Sequence, residues 1–340
     1  MERLVLVAGA RPNFMKLMPI CRELDNNNRS YTIFNSMQHY DANLNSIFIE
    51  QFGIKNIISI SSNKVNKVKQ IQDIIFKFNK FLSSISGTTE VIVVGDVDTS
   101  CFCALAASRL RIPVLHIESG LRSFDITMPE ERNRITIDHL SYFNFAHSKD
   151  SIENLANEGI VSGVENVGNI MIDTLCILKD KIQETKAQYK KDIIVTFHRP
   201  ENVDNIDSIL NILNQLALLA ERYSILFPVH PRTKKSWPEL FNKYSTITFI
   251  DPLGYLEFMS EVNCCKAVIT DSGGIQEETS YLGIPCFTVR QSTERPITIE
   301  LGTNKLIEIM DIGSIEVGPR IVTNIPLWDG HTSERICKLI

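Results

Sequence analysis

Short β-branched, apolar runs alternate along this chain with longer segments in which apolar residues recur at helical spacing. The first run, Leu4 to Val7, is followed by a helical pattern through Leu24 and then by a second run, Tyr31 to Phe34. Runs of this length are too short for typical helices and fit strands buried on both faces. The same pattern predicts strands at Val91–Val94, Val114–Ile117, Ile193–Phe197, Ile225–Val229, Ile247–Ile250 and Ala267–Thr270. Between Asp204 and Glu221, Ile206, Ile209, Leu213, Leu216 and Ala220 fall on one stripe, which predicts a helix that packs on a sheet and carries no site. Strands alternating with helices imply an α/β fold of parallel sheets flanked by helices.

The chain has 340 residues, which at roughly 150 residues per domain implies two domains. The boundary is expected near Gly168-Asn169, where one α/β unit ends and a helix starting at Ile170 leads to the strand at Ile193. Two similar lobes with a cleft between them follow, covering residues 1–168 and 169–325. The Ser- and Asn-rich stretch Ser59 to Asn66 reads as an exposed loop. With 44% hydrophobic and 22% charged residues the composition is that of an ordinary globular protein. A formal charge of -5 gives no general attraction to nucleic acid or anionic lipid, so any anion must be held by local groups. No apolar run approaches the roughly 18 residues of a membrane span, and no secretory pattern opens the chain. The eight cysteines include no Cys-x-x-Cys pair and sit mostly in apolar stretches, as small buried hydrophobes do. A reduced, soluble, cytoplasmic protein is expected, without a metal.

In such sheets ligands sit beyond the carboxyl ends of the strands. After the first strand, Gly9-Ala10-Arg11-Pro12-Asn13-Phe14-Met15-Lys16 is a small-residue turn entering a helix, with backbone donors and two cations, Arg11 and Lys16, suited to an anion. Gly95-Asp96 follows the strand at Val91, Glu118-Ser119-Gly120 follows the strand at Val114, and Pro129-Glu130-Glu131 opens another helix. Asp96, Glu118 and Glu130 in one cleft would shift each other's pKa and divide acid and base work, although each taken singly also fits a helix cap or ion pair. His198 and Arg199 follow the strand at Ile193, and the imidazole is placed to protonate or neutralise a leaving group. His230, between two prolines, fits a stiff structural loop equally well.

The sharpest signal is Thr270-Asp271-Ser272-Gly273-Gly274, a strand running into a helix through small residues. Its glycines let a phosphate approach backbone N–H groups, the helix dipole adds attraction, and Glu278 one turn on is placed to accept ribose hydroxyls. Arg295, in Thr293-Glu294-Arg295-Pro296, offers either a cation closing over a diphosphate or a surface ion pair.

Taken in order with His116-Ile117-Glu118-Ser119-Gly120-Leu121-Arg122 and His198-Arg199-Pro200-Glu201-Asn202, these segments closely resemble the bacterial non-hydrolysing UDP-N-acetylglucosamine 2-epimerases through nearly the whole chain. The resemblance implies a glycosyltransferase-B-like fold of two Rossmann-like lobes with a UDP-sugar between them. It also implies a helix over residues 326–340, from Trp328-Asp329-Gly330 onward, returning to the first lobe. Arg11, Lys16, the Ser272-Gly273-Gly274 backbone, His198 and Arg295 would hold the diphosphate, Glu278 the ribose, and Leu253 and Phe258 the uracil surroundings. Asp96, Glu118 and Glu130 would serve the sugar. A homodimer without cofactor, supplying cell-surface polysaccharide synthesis, is implied as well.

Carbon 2 of the sugar carries an amide nitrogen and is not next to a carbonyl, so its proton is poorly acidic. The family eliminates UDP in the anti sense, giving 2-acetamidoglucal, and re-adds it with protonation on the other face. The acids would then be proton carriers and stabilisers of an oxocarbenium-like state. Three departures stand out. Asp41, in Met37-Gln38-His39-Tyr40-Asp41, replaces a second glutamine of relatives that bind a second UDP-sugar, which argues against such activation. Val97-Asp98 interrupts the commoner Gly-Asp-Thr run, and Pro200 replaces a usual arginine, which fits a relative acting on a diacetamido uronic-acid sugar. Other readings are a hydrolysing epimerase, which typically opens with Gly-Thr-Arg-Ala-Asp, a retaining glycosyltransferase, and a UDP-sugar sensor without the acids.

Overall fold

The structure, a computed structural model, describes residues 3–36, 54, 56–60, 66–85 and 87–340. The Met37 to Asp41 segment and most of the Ser59 to Asn66 stretch lie outside them. The chain divides into two compact units, one comprising Met1–Thr174 and Pro326–Ile340, the other Leu175–Ile325. The boundary is expected near Gly168-Asn169; the division falls a few residues on, inside the helix Ile170–Glu184.

In the first unit the strands are β1 (Arg3–Ala8), β2 (Tyr31–Asn35), β3 (Ile57–Ser59), β4 (Thr88–Val94), β5 (Val114–Ser119), β6 (Phe143–Ala146) and β7 (Val164–Asn166). They form one sheet in the order β3-β2-β1-β4-β5-β6-β7, with every pairing parallel. The second unit contains β8 (Ile193–Thr196), β9 (Ile225–Pro228), β10 (Ile247–Ile250), β11 (Ala267–Thr270), β12 (Cys286–Val289) and β13 (Asn304–Ile307). Their order is β10-β9-β8-β11-β12-β13, again parallel throughout. Each apolar run read from the sequence lies in a strand, with Phe197 and Val229 falling just past the ends of β8 and β9. The pattern missed β3, β6, β7, β12 and β13. Of these, β3, β7 and β13 are sheet edges and carry polar residues such as Glu165 and Lys305, because an edge need not be apolar on both faces.

Strand order reverses between β1 and β4 in one sheet and between β8 and β11 in the other. The loops after these four strands therefore flank the two crevices where open parallel sheets bind ligands. Each sheet is held by its own core. Phe34 meets Phe78 of the helix Lys67–Ser84 edge-on, with ring centroids 4.8 Å apart, over Val5, Val7 and Val91. In the second unit Ile209, Leu213 and Leu216 of the helix Ile206–Leu219 pack on Val195 and Phe227, which is packing alone, as their spacing predicts. Each such large side chain contributes about 1.5–3 kcal/mol by leaving water. Five of the eight cysteines are buried, Cys176 and Cys337 are partly so, and Cys264 is exposed.

The terminal helix is shorter than the sequence implied. It spans Thr332–Leu339, and Trp328-Asp329-Gly330 lies ahead of it. The buried Asp173 sets its start, accepting from Thr332 N at 3.0 Å and Ser333 N at 2.7 Å, which satisfies donors a helix leaves open. Among the described residues no helix is long and apolar enough to cross a membrane.

Candidate active site

At the crevice of the first unit, Asn13 ties the turn after β1 to the end of β4. Its Oδ1 accepts from Gly9 N at 3.1 Å and Ala10 N at 2.9 Å, and its Nδ2 donates to the Val94 carbonyl at 3.1 Å. Arg11 is the first residue of the helix Arg11–Asn26, with Pro12 near its start, where a missing N–H costs nothing. Lys16, one turn on, pairs with Glu118 Oε2 at the exit of β5.

Glu118 is only 4% exposed and has a φ of +69°. A residue with a side chain in this left-handed region costs on the order of 1–3 kcal/mol, and such strain collects at functional sites. Its Oε1 is buried without a hydrogen-bond partner among the described residues. A strained, buried carboxylate with one oxygen uncommitted is suited to taking and returning a proton. Gly95, with a φ of +62°, lies against it; a Cβ there would stand 3.3 Å from Glu118 Oε2.

Asp96 follows, half-buried and paired with Arg134 Nη2. The same guanidinium donates to Glu131 Oε2 at 2.7 Å through Nη1. The two adjacent acids of the helix Pro129–Leu140 have different settings. Glu131 is buried and accepts from Ser123 N and Phe124 N, so it holds the loop after β5, whereas Glu130 is exposed in the first turn.

In the second unit β8 and β11 end side by side, and Asp271 joins their loops. This fully buried carboxylate accepts from His198 N at 3.1 Å, Arg199 N at 2.9 Å and Asn202 Nδ2 at 2.9 Å, and pairs with His198 Nδ1 at 2.8 Å. Burial pushes the Asp271 pKa up, but His198, Asn202 and the Arg199 N–H outweigh it and hold the group below its ordinary value. An ionised Asp271 fixes the proton on Nδ1 of an imidazole that is 52% exposed.

Ser272 precedes the helix Gly273–Leu282, and among the described residues nothing lies within 4 Å of where a Gly274 Cβ would stand. Gly273 is closely covered: a Cβ would lie 2.6 Å from Arg295 Nη1 and 2.8 Å from Glu294 Oε1. Of the two settings expected for Arg295, a surface pair is corrected. Arg295 is buried, donates from Nε to Glu277 Oε1 at 2.6 Å and pairs with Glu294, which also meets Arg290 Nη2 at 2.8 Å. The guanidinium thus rests on the first turn of the helix, its charge matched by Glu277 and Glu294.

Glu278 is buried and accepts from Tyr255 OH at 2.7 Å. Burial and the neighbouring Glu277 raise its pKa from 4.5 to about 7 against the lowering effect of Tyr255. Leu253 and Phe258 are half-buried on either side of Tyr255, and His230 is exposed after β9. The sequence singled out neither Asp271 as the partner of His198 nor Tyr255, Arg134 and Glu277 as partners of site groups. An acid at a strand end was the one available signal, and it pointed to Asp271.

Two Rossmann-like units of parallel strands, each with its polar groups at a topological switch point, define a glycosyltransferase-B-like protein. At the level of fold alone, MurG of Acinetobacter baumannii superposes with a TM-score of 0.59 at 12% identity, over 100% of this chain and 99% of that one. The profile of the UDP-N-acetylglucosamine 2-epimerase family matches residues 22–340. A UDP-N-acetylglucosamine 2-epimerase of Methanocaldococcus jannaschii is 36% identical, covering 99% of this chain and 98% of its own. The crystal structure of a UDP-GlcNAc 2-epimerase from that organism, in complex with UDP-GlcNAc and UDP, superposes with a TM-score of 0.86 at 34% identity, over 99% of both chains. A UDP-2,3-diacetamido-2,3-dideoxy-D-glucuronate 2-epimerase of Pseudomonas aeruginosa is 32% identical over 99% of each chain. This chain belongs to the UDP-N-acetylglucosamine 2-epimerase family and is an isomerase of that kind.

Proposed function

We propose that the protein interconverts UDP-N-acetylglucosamine and UDP-N-acetylmannosamine by anti elimination and re-addition of UDP. The observation that carries the chemistry is Glu118, buried, held in a left-handed turn, paired with Lys16 and open at Oε1. In the forward direction the bond from carbon 1 to the diphosphate oxygen breaks as carbon 2 loses its proton, leaving 2-acetamidoglucal and UDP. Re-addition returns UDP to carbon 1 while a proton reaches the other face of carbon 2. Asp96, Glu118 and Glu130 carry the protons between them. Arg11, Lys16, His198, Arg295 and the N–H groups at Ser272, Gly273 and Gly274 take the charge that grows on the departing diphosphate. Glu278 receives the ribose hydroxyls, with Leu253 and Phe258 near the uracil.

Proton NMR in deuterated water with UDP-N-acetylglucosamine tests this. A UDP-N-acetylmannosamine product with deuterium at carbon 2 is expected; free N-acetylmannosamine with UDP would replace the proposal by the hydrolysing reaction.

A second substrate, a UDP-diacetamido-uronate, is favoured by one feature. Asp98, behind Val97, is buried and committed to Lys67 and Asn133, so the run after Asp96 is built differently from the commoner Gly-Asp-Thr. Turnover of that sugar and not of UDP-N-acetylglucosamine decides for it. The family resemblance also supports a cytoplasmic homodimer feeding polysaccharide synthesis, which light scattering tests for its dimeric part.

A further inference from the structure

One buried carboxylate ties down both sides of Glu118. Asp138, in the helix Pro129–Leu140, accepts from Gly120 N at 3.1 Å and pairs with His116 Nδ1 at 2.6 Å, and these partners lie just after and just before Glu118 in the chain. His116 Nε2 lies 3.1 Å from the carbonyl of Gly95, the residue ahead of Asp96. Asp138 therefore reaches both strand exits that bear candidate acids, β5 directly and β4 through His116.

The hydrogen bonds also fix the orientation of this cluster. A carbonyl oxygen only accepts, so His116 Nε2 donates to Gly95 while Nδ1 faces Asp138. Asp138 Oδ2 accepts from Gly120 N and meets Arg122 Nη2 at 2.7 Å, as befits a carboxylate. Burial pushes Asp138 up, but His116 and Arg122 more than offset this and hold it below the ordinary carboxylate range. The other ionisable groups here are Glu158, which pairs with Arg122 at 2.7 Å, and His139, 3.9 Å from Glu158.

We propose that Asp138 is a positioning residue for Glu118 and Asp96, acting directly on the turn at Gly120 and, through the His116 ring, on Gly95. This rests on the reading of those two acids as proton carriers. Without the carboxylate the ring loses the group that orients it toward Gly95, and the turn at Glu118 loses the bond that anchors Gly120.

Asp138→Asn keeps the shape and removes the charge. A displacement of about 1 Å at a reacting group is enough to cost about 100-fold, so kcat should fall about 100-fold with KM for UDP-N-acetylglucosamine unchanged. Wild-type kcat in Asp138→Asn, or a KM for UDP-N-acetylglucosamine that changes as much as kcat, overturns the proposal. Where Asp138→Asn does not fold, His116→Gln is read in its place: it keeps a donor for Gly95 but not the ring that reaches Asp138, and wild-type kcat there overturns the proposal equally. Folded wild-type protein that turns over no UDP-sugar counts against the reaction itself, and with it the catalytic half of the inference.

Discussion

Glu278→Gln separates the cost of a buried charge from its use. The wild-type carboxyl has a pKa of about 7 in the folded chain against an ordinary 4.5. At 1.36 kcal/mol per pH unit, this corresponds to about 3 kcal/mol. The sign follows from proton binding. Between pH 4.5 and 7 the folded chain holds a proton that the unfolded chain has lost, so stability falls as pH rises through that window and the full cost stands above pH 7. Glutamine imitates the neutral form at every pH and still accepts from Tyr255. Glu278→Gln should therefore match wild type near pH 4.5 and exceed it above pH 7 by about 3 kcal/mol, or ~6–12 °C in the melting of a unit of this size. Binding should move the other way. Ribose hydroxyls need the ionised acceptor, so UDP affinity of the wild type rises with pH through 7, while the variant binds about 10- to 100-fold more weakly at pH 8 and without that slope. Scanning fluorimetry and titration calorimetry across the same buffers read both. Identical pH profiles of melting for the two proteins would refute the reasoning.

Asp271→Asn should lower kcat by about 100-fold or more, because His198 loses the group that selects its tautomer, and should cost about 1–3 kcal/mol in a denaturant titration. Gly273→Ala drives a methyl against Arg295 and Glu294; UDP affinity should drop while the sheet, seen by circular dichroism, is unchanged. The neighbours Glu130 and Glu131 should separate cleanly. Glu131→Ala breaks the bonds to Ser123, Phe124 and Arg134 and should destabilise by about 2–4 kcal/mol in chemical unfolding. Glu130→Gln should leave stability within about 0.5 kcal/mol and lower kcat in the NMR epimerisation assay.

The apolar runs by themselves determined the class of fold, since a four-residue run flanked by turns has few ways to be buried except between two layers of helices. They also determined where chemistry would lie, because a parallel sheet gathers ligand groups at the carboxyl ends of its strands: Glu118 is at the end of β5, and His198 and Asp271 follow β8 and β11 within two residues. The polar edge strands were illegible, because β7 and β13 need bury only part of each face, whereas the apolar edge β10 was read.

Tertiary structure alone decided which group faces which. Lys16 and Glu118 are 102 positions apart, and His198 and Asp271 are 73 apart, distances over which no periodicity speaks. It also separated Glu130 from Glu131, adjacent in sequence yet turned to solvent and to a buried loop, and it moved Arg295 from an exposed pair into a covered network. The reason is the same in each case. A sequence pattern records how much surface a residue must hide, whereas protonation, orientation and pairing depend on neighbours that only the closed sheet brings within 3 Å.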